Sequence, residues 1–135
     1  MLLVEDDEDV RGLAMDVLKI SGYTVLEAPH GGEALLLCER HAGRIDLMIS
    51  DVIMPHLSGP QLLERVRPLR PDMKVLFMSG YTAGAIEDQG TLPPGTSFIQ
   101  KPFMPDDFTK KVREVLDPLV HAPVDAARGE REKRP

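Results

Sequence analysis

The chain has one cysteine, Cys38, no tryptophan, two tyrosines and four phenylalanines. A single thiol excludes an intrachain disulfide and a thiolate metal cluster, and suits a reducing, cytoplasmic setting. No apolar run approaches the roughly 20 residues that a membrane-crossing helix needs. Charge begins at Glu5, which leaves no room for a signal-peptide core and predicts that there is none. Basic residues are in deficit, with 16 Lys and Arg against 22 Asp and Glu and a net charge of −6. That balance argues against non-specific contact with nucleic acid or with an anionic membrane surface. A length of 135 residues suits one domain.

What the chain has in excess is acid in one place. Glu5-Asp6-Asp7-Glu8-Asp9 directly follows the apolar Leu2-Leu3-Val4. Like charges packed so closely repel one another unless something cationic offsets them.

Along the rest of the chain, short apolar runs alternate with helical patterns. Leu2-Leu3-Val4 reads as a buried strand, followed by Val10, Leu13, Ala14, Val17 and Leu18 at helical spacing and a stop at Gly22. Tyr23–Ala28 reads as a second strand, and Ala34, Leu37 and Cys38 share one face of a second helix. Ile45–Ser50, Val75–Met78 and Ser97–Gln100 are further apolar strands. Leu62, Leu63 and Val66 line a third helix that ends at Pro68, and Phe108, Val112, Val115, Leu116 and Leu119 line the last. The fourth helical segment, between Gly80 and Gly95, is broken by Gly84, Gly90, Pro93 and Pro94 and is expected to be short and mobile. Short strands that are apolar throughout, each followed by a helix, predict an α/β fold: a single (βα)5 doubly wound parallel sheet. The folded domain is expected over residues 1–119, with residues 120–135 a disordered tail.

In an open parallel sheet ligands bind beyond the carboxyl ends of the strands, where the strand order reverses. Glu5 and Asp6 follow strand one, Asp51 ends strand three, Ser79 ends strand four and Lys101 follows strand five. Any one of these, taken alone, is a polar residue ending a strand; together on one rim they make a site. Three carboxylates without His or Cys suit Mg²⁺ or a similar hard cation such as Mn²⁺. A carboxylate is also a nucleophile toward phosphoryl groups, and Lys101 and a metal would offset the charge that a phosphoryl group brings in. Ser79 supplies a hydroxyl donor. The constellation points to metal-dependent phosphoryl transfer to an aspartate.

The segments LLVEDDEDVR, DVIMPHLSG, VLFMSGYT and FIQKPF, in this order and spacing, resemble the response-regulator receiver domains of two-component signalling. The resemblance covers residues 1 to about 119. It implies the CheY-like strand order 2-1-3-4-5, with Asp51 as phosphoacceptor. Asp6 would bind Mg²⁺ directly, Glu5 chiefly through a metal-bound water, and the backbone carbonyl of Ile53 would complete the ligands. Ser79 and Lys101 would contact the phosphoryl group, Phe98 would be the switch aromatic, and Lys101–Pro102 would be a cis peptide. The phosphoryl donor would be a phosphohistidine on a sensor histidine kinase or a histidine phosphotransfer domain, in cis or in trans. Phosphorylation would switch the face built from the fourth helical segment, strand five and the last helix, a face also open to phosphorylation-dependent homodimerisation. Ile53, two residues after Asp51, cannot orient an attacking water, so slow self-dephosphorylation is expected.

The phrasing of these segments, the short first strand and the tail look most like the C-terminal receiver of a hybrid sensor histidine kinase; kinase activity would then belong to the longer protein. A stand-alone response regulator is the alternative. A receiver-like interaction module that takes up no phosphate is disfavoured by intact Asp6, Asp51, Ser79 and Lys101. A haloacid-dehalogenase-type phosphatase needs an acid where Ile53 stands, and a flavodoxin-like FMN site would be repelled by the acids after strand one. Cys38 reads as packing, and His30, His41, His56 and His121 as surface residues, although His56 is near Asp51 in sequence. Asp7 is divided between the pocket and a helix N-cap, while Glu8 and Asp9 suit the first helical turn. Arg65, Arg67 and Arg70 read as a solvated helix end.

Overall fold

Alternate strand residues point to opposite faces of a sheet, and here both faces are apolar. Residues 1–80 and 92–117 are described in the structure, a computed structural model. The strands β1 (Leu2–Val4), β2 (Leu26–Ala28), β3 (Leu47–Asp51), β4 (Lys74–Ser79) and β5 (Thr96–Gln100) form one sheet in the order β2-β1-β3-β4-β5. Every neighbouring pair is parallel. Around it lie α1 (Glu8–Ile20), α2 (Gly31–Arg40), α3 (Gly59–Val66) and the C-terminal helix α4 (Pro105–Leu116). This is the doubly wound α/β architecture that the alternating pattern predicted.

Leu2, Val4, Met48, Val75 and Phe77 pack on one face with Ala34, Cys38, Leu62, Leu63 and Val66 of α2 and α3. Leu3, Leu47, Ile49, Leu76 and Met78 pack on the other with Ala14, Met15, Leu18, Phe108 and Val112 of α1 and α4. A helix layer on each side removes the solvent-facing positions that would otherwise be polar, which is why the strands read as continuous apolar runs.

The helix starts are local. Asp7 caps α1, its carboxylate accepting from the backbone N–H of Asp9 at 2.9 Å and Val10 at 3.1 Å. Ser58 caps α3 in a reciprocal pair with Gln61: Ser58 Oγ accepts from the Gln61 amide at 3.2 Å, and Gln61 Oε1 accepts from the Ser58 amide at 3.0 Å. His30 caps α2, Nδ1 accepting from the Glu33 amide at 3.2 Å.

Three sequence expectations need adjusting. The second strand begins at Leu26 rather than Tyr23, because the Tyr23 amide closes the end of α1 on the Leu18 carbonyl, and β1 offers its first pairing partner only at Leu2. The third strand runs Leu47–Asp51, two residues later at its start than the apolar run from Ile45. Arg70 is not part of a solvated helix end. Its guanidinium donates to the carbonyls of Cys38 at 3.2 Å, His41 at 2.6 Å and Gly43 at 2.7 Å, satisfying groups at and beyond the end of α2. Arg65 and Arg67 are exposed as expected, Arg67 also donating to the Pro94 carbonyl at 3.1 Å. Most of the fourth helical segment, with Tyr81, and the tail with Leu119 and His121, lie outside the described residues.

Candidate functional site

The strand register brings the polar residues together. Val4 pairs with Ser50 and Asp51 with Met78, so Glu5, one residue beyond β1, stands beside Asp51 at the end of β3. The Glu5 amide extends the pairing with β2 by donating to the Ala28 carbonyl at 3.1 Å. Strand order reverses here, since β1 lies between β2 and β3. On the far side, Ser79 ends β4, and its carbonyl accepts from the Lys101 amide at 2.7 Å. The Lys101–Pro102 peptide is cis.

The charged atoms converge. Carboxylate oxygens of Glu5, Asp6 and Asp51 lie within 4.8 Å of one another. Lys101 Nζ donates to Glu5 Oε1 at 2.8 Å and to Asp51 Oδ2 at 3.1 Å. Glu5 is fully buried, Asp51 and Ser79 are buried, and Asp6 is exposed at the mouth. Burial pushes the Glu5 carboxyl up to about 7, opposed by the hydrogen bond from Lys101 and reinforced by the charge of Asp51. For Lys101 burial works against the charged form, yet the bond to Glu5 and the charge of Asp51 outweigh it and raise its pKa. One ammonium thus serves two of the three carboxylates. The donor set is oxygen only, three carboxylates against one ammonium, with an open side at Asp6. That is the chemistry of a hard divalent cation, so the residues fit Mg²⁺.

The floor of the site is tight. The Gly59 amide donates to the Val52 carbonyl at 2.8 Å. A Cβ on Gly59 would run into the backbone oxygen of Asp51 and come within 2.8 Å of the Phe77 ring. Gly59 is therefore a packing position beneath the site that the sequence reading passed over; its signal was a glycine eight residues after the strand-ending acid, before a Pro at the helix start. Arg11 was also passed over, although its guanidinium donates to the Glu5 carbonyl at 2.8 Å.

The remaining candidates sort by position. Phe98 is half-buried on β5, opposite Phe77, against the α2 and α3 side of the core. Ile53 is 46% exposed just beyond Asp51. Asp7 caps α1, as described, and Glu8 and Asp9 occupy the first turn, where negative charge is favoured by the positive end of the helix dipole. His56 is exposed in the loop before α3, with a φ of 69°. Cys38 is buried in the core, and that burial pushes its thiol pKa up, as befits a packing residue. Beside Lys101 an apolar groove of about 380 Å³ is lined by Val10, Leu13, Gly80, Pro102 and Phe103. Among the described residues no helix is long and apolar enough to cross a membrane.

Comparison with known proteins places these features in a family. Residues 1–113 match the model of the response regulator receiver domain. The chain is 39% identical over 117 residues to the sensor kinase CckA of Brucella abortus, covering 87% of this chain and 12% of that protein. It is 28% identical over 116 residues to the response regulator receiver protein CpdR of Brucella abortus, covering 86% of this chain and 95% of that one. Among solved structures, the receiver domain from the hybrid histidine kinase CckA superposes with a TM-score of 0.73 at 41% identity, over 85% of this chain and 96% of that one. The chemotaxis protein CheY4 of Vibrio cholerae superposes with a TM-score of 0.76 at 30% identity, with the same coverage. The chain thus spans a small fraction of the sensor kinase and nearly the whole of the single-domain relatives.

Proposed function

Because the chain belongs to the response regulator receiver domain family of two-component phosphorelays, we propose that Asp51 is its phosphoacceptor. The observation that carries this reading is the convergence of Glu5, Asp6 and Asp51 within 4.8 Å at the point where strand order reverses, with Lys101 bonded to two of them. Receiver domains take their phosphoryl groups from histidine kinases or phosphotransfer partners. A carboxylate oxygen of Asp51 bonds to phosphorus as the P–N bond to the donor imidazole breaks, and the released ring nitrogen takes up a proton. Asp6, Asp51 and the Ile53 carbonyl would hold Mg²⁺ directly, with Glu5 acting chiefly through a bound water. When bound there, Mg²⁺ would supply positive charge to offset that on the phosphoryl oxygens. Lys101 then exchanges its contact with Asp51 for one with the phosphoryl group, and the Ser79 hydroxyl donates to a second phosphoryl oxygen. Movement of Ser79 toward that oxygen opens space into which Phe98 turns, carrying the signal to the face around β5 and α4, which is also where a phosphorylation-dependent homodimer would form.

Incubation with Mg²⁺ and acetyl phosphate, followed by intact mass measurement, tests the assignment. The wild type gains one phosphoryl group that hydroxylamine removes, and Asp51→Asn gains none. A wild type unmodified by either acetyl phosphate or a cognate kinase sinks the reading. With Ile53 apolar, the phosphorylated form decays slowly, and a half-life of seconds without a phosphatase contradicts that part.

The identity to CckA favours a receiver of a hybrid histidine kinase over a free-standing regulator. Kinase activity would reside elsewhere in such a protein, and this receiver segment would act in the cytoplasm. The reading frame upstream of Met1 decides between the two settings.

A further inference from the structure

The Glu5 backbone is anchored at both of its polar groups. Its amide donates to the Ala28 carbonyl of β2 at 3.1 Å, and its carbonyl accepts from the Arg11 guanidinium at 2.8 Å. Arg11 sits in the first half of α1 with its side chain only 15% exposed, and Arg11 Nε lies 3.6 Å from Glu27 Oε1 on β2. A guanidinium withdrawn this far from water is costly unless it is well paired. Here its shorter bond goes to a neutral carbonyl, and its carboxylate partner is the longer contact and half exposed. The bond therefore does more than satisfy a charge. The Glu5 carbonyl belongs to the peptide that joins Glu5 to Asp6. Holding that oxygen, with the Glu5 amide already held, sets the peptide plane and so the direction in which the Asp6 carboxylate leaves the chain. Asp6 has no such restraint of its own from burial, being exposed.

We infer that Arg11 is a positioning residue for the divalent cation, acting through the Glu5–Asp6 peptide without touching the ion. The inference rests on the phosphoacceptor reading above. It predicts an effect whose sign is opposite to that of simple electrostatics. Removing a positive charge close to a cation site strengthens cation binding on Coulombic grounds. Removing a group that orients a ligand weakens it, by about 10- to 100-fold in typical metal sites.

The test is titration with Mn²⁺, reading free ion by electron paramagnetic resonance, alongside a thermal melt of each metal-free variant. Arg11→Gln and Arg11→Ala bind Mn²⁺ about tenfold more weakly than wild type. Arg11→Lys, whose ammonium still offers a donor to the Glu5 carbonyl, recovers most of the loss. A role confined to stability lowers the melting temperature and leaves the Mn²⁺ affinity of the folded protein unchanged, so equal or tighter binding in folded Arg11→Gln overturns the inference. If the wild type itself binds no Mn²⁺, this inference and the phosphoacceptor reading fall together; if wild type and variant bind alike, only this one does. Should both neutral variants fail to fold, nitrogen-15 NMR of the unmodified protein answers the same question. The Arg11 guanidinium signals then shift during a Mg²⁺ titration in step with the Asp6 amide, while those of Arg44, paired with Asp46 at 2.6 Å on the surface, stay still. Unmoved Arg11 signals overturn the inference equally.

Discussion

The two ends of the sheet use the same kinds of charged residue and reach different outcomes. At the amino end, Arg44 and Asp46 form a 2.6 Å ion pair with side chains 77% and 58% exposed, and Lys74 Nζ donates to the Leu116 carbonyl at 3.3 Å. At the carboxyl end, Lys101 meets a fully buried Glu5 and a nearly buried Asp51. Water solvates the first pair well with or without its partner, so the pairing contributes little. The second has lost most of its water, and each charge depends on the others for compensation. Short distance alone does not distinguish the two ends, since the surface pair is the shorter. Exposure does.

Removing one cation from each end should break or confirm this contrast most directly. Lys101→Met leaves two buried carboxylates facing each other and should cost about 3 kcal/mol of unfolding free energy in metal-free protein. Arg44→Met should change stability by less than about 0.5 kcal/mol. Urea denaturation at neutral pH measures both, and equal costs would remove the distinction. Glycine offers a second contrast of the same kind. Gly59→Ala forces a methyl group against the Asp51 backbone and should destabilise by about 2 kcal/mol. Gly12→Ala, in the exposed middle of α1 with nothing within 4 Å of the new Cβ, should instead stabilise by roughly 0.5–1 kcal/mol, the helix-propensity gain. Thermal melts of the two variants moving in the same direction would show that crowding at the site floor is not what Gly59 answers to. Arg70→Ala sharpens the picture at a smaller scale. It strips the donors from three carbonyls around the end of α2 and should cost about 1–2 kcal/mol by the same measurement. A loss below that range would mean that water replaces the guanidinium readily.

Much of the site was legible because its residues end or follow strands. In a parallel sheet every strand points the same way, so Glu5, Asp51, Ser79 and Lys101 could be placed on one rim once the strands were found. The division of the acidic run was partly legible too: Asp7 had two readings, and its bonds to Asp9 and Val10 select the cap. Arg70 was misread because a basic residue beyond a helix looks the same whether solvated or reaching across to another helix. Its partners Cys38, His41 and Gly43 are far upstream in the sequence. His30 passed as an ordinary surface residue because histidine is an uncommon cap, and only the extended backbone there aims Nδ1 at the Glu33 amide.

The sequence by itself determined the order of the elements, the apolar character of both sheet faces and the identity of the acids, hydroxyl and ammonium at the carboxyl rim. These follow from periodicity and residue type, which are local. Only the tertiary structure decided that Lys101 bonds Glu5 and Asp51 together, that Arg11 holds the Glu5 carbonyl and that Gly59 has no room for a side chain. Each of these depends on strand register and on how closely a helix or loop approaches the sheet. Register and approach are set by packing among residues distant in the chain, and no local pattern carries that information.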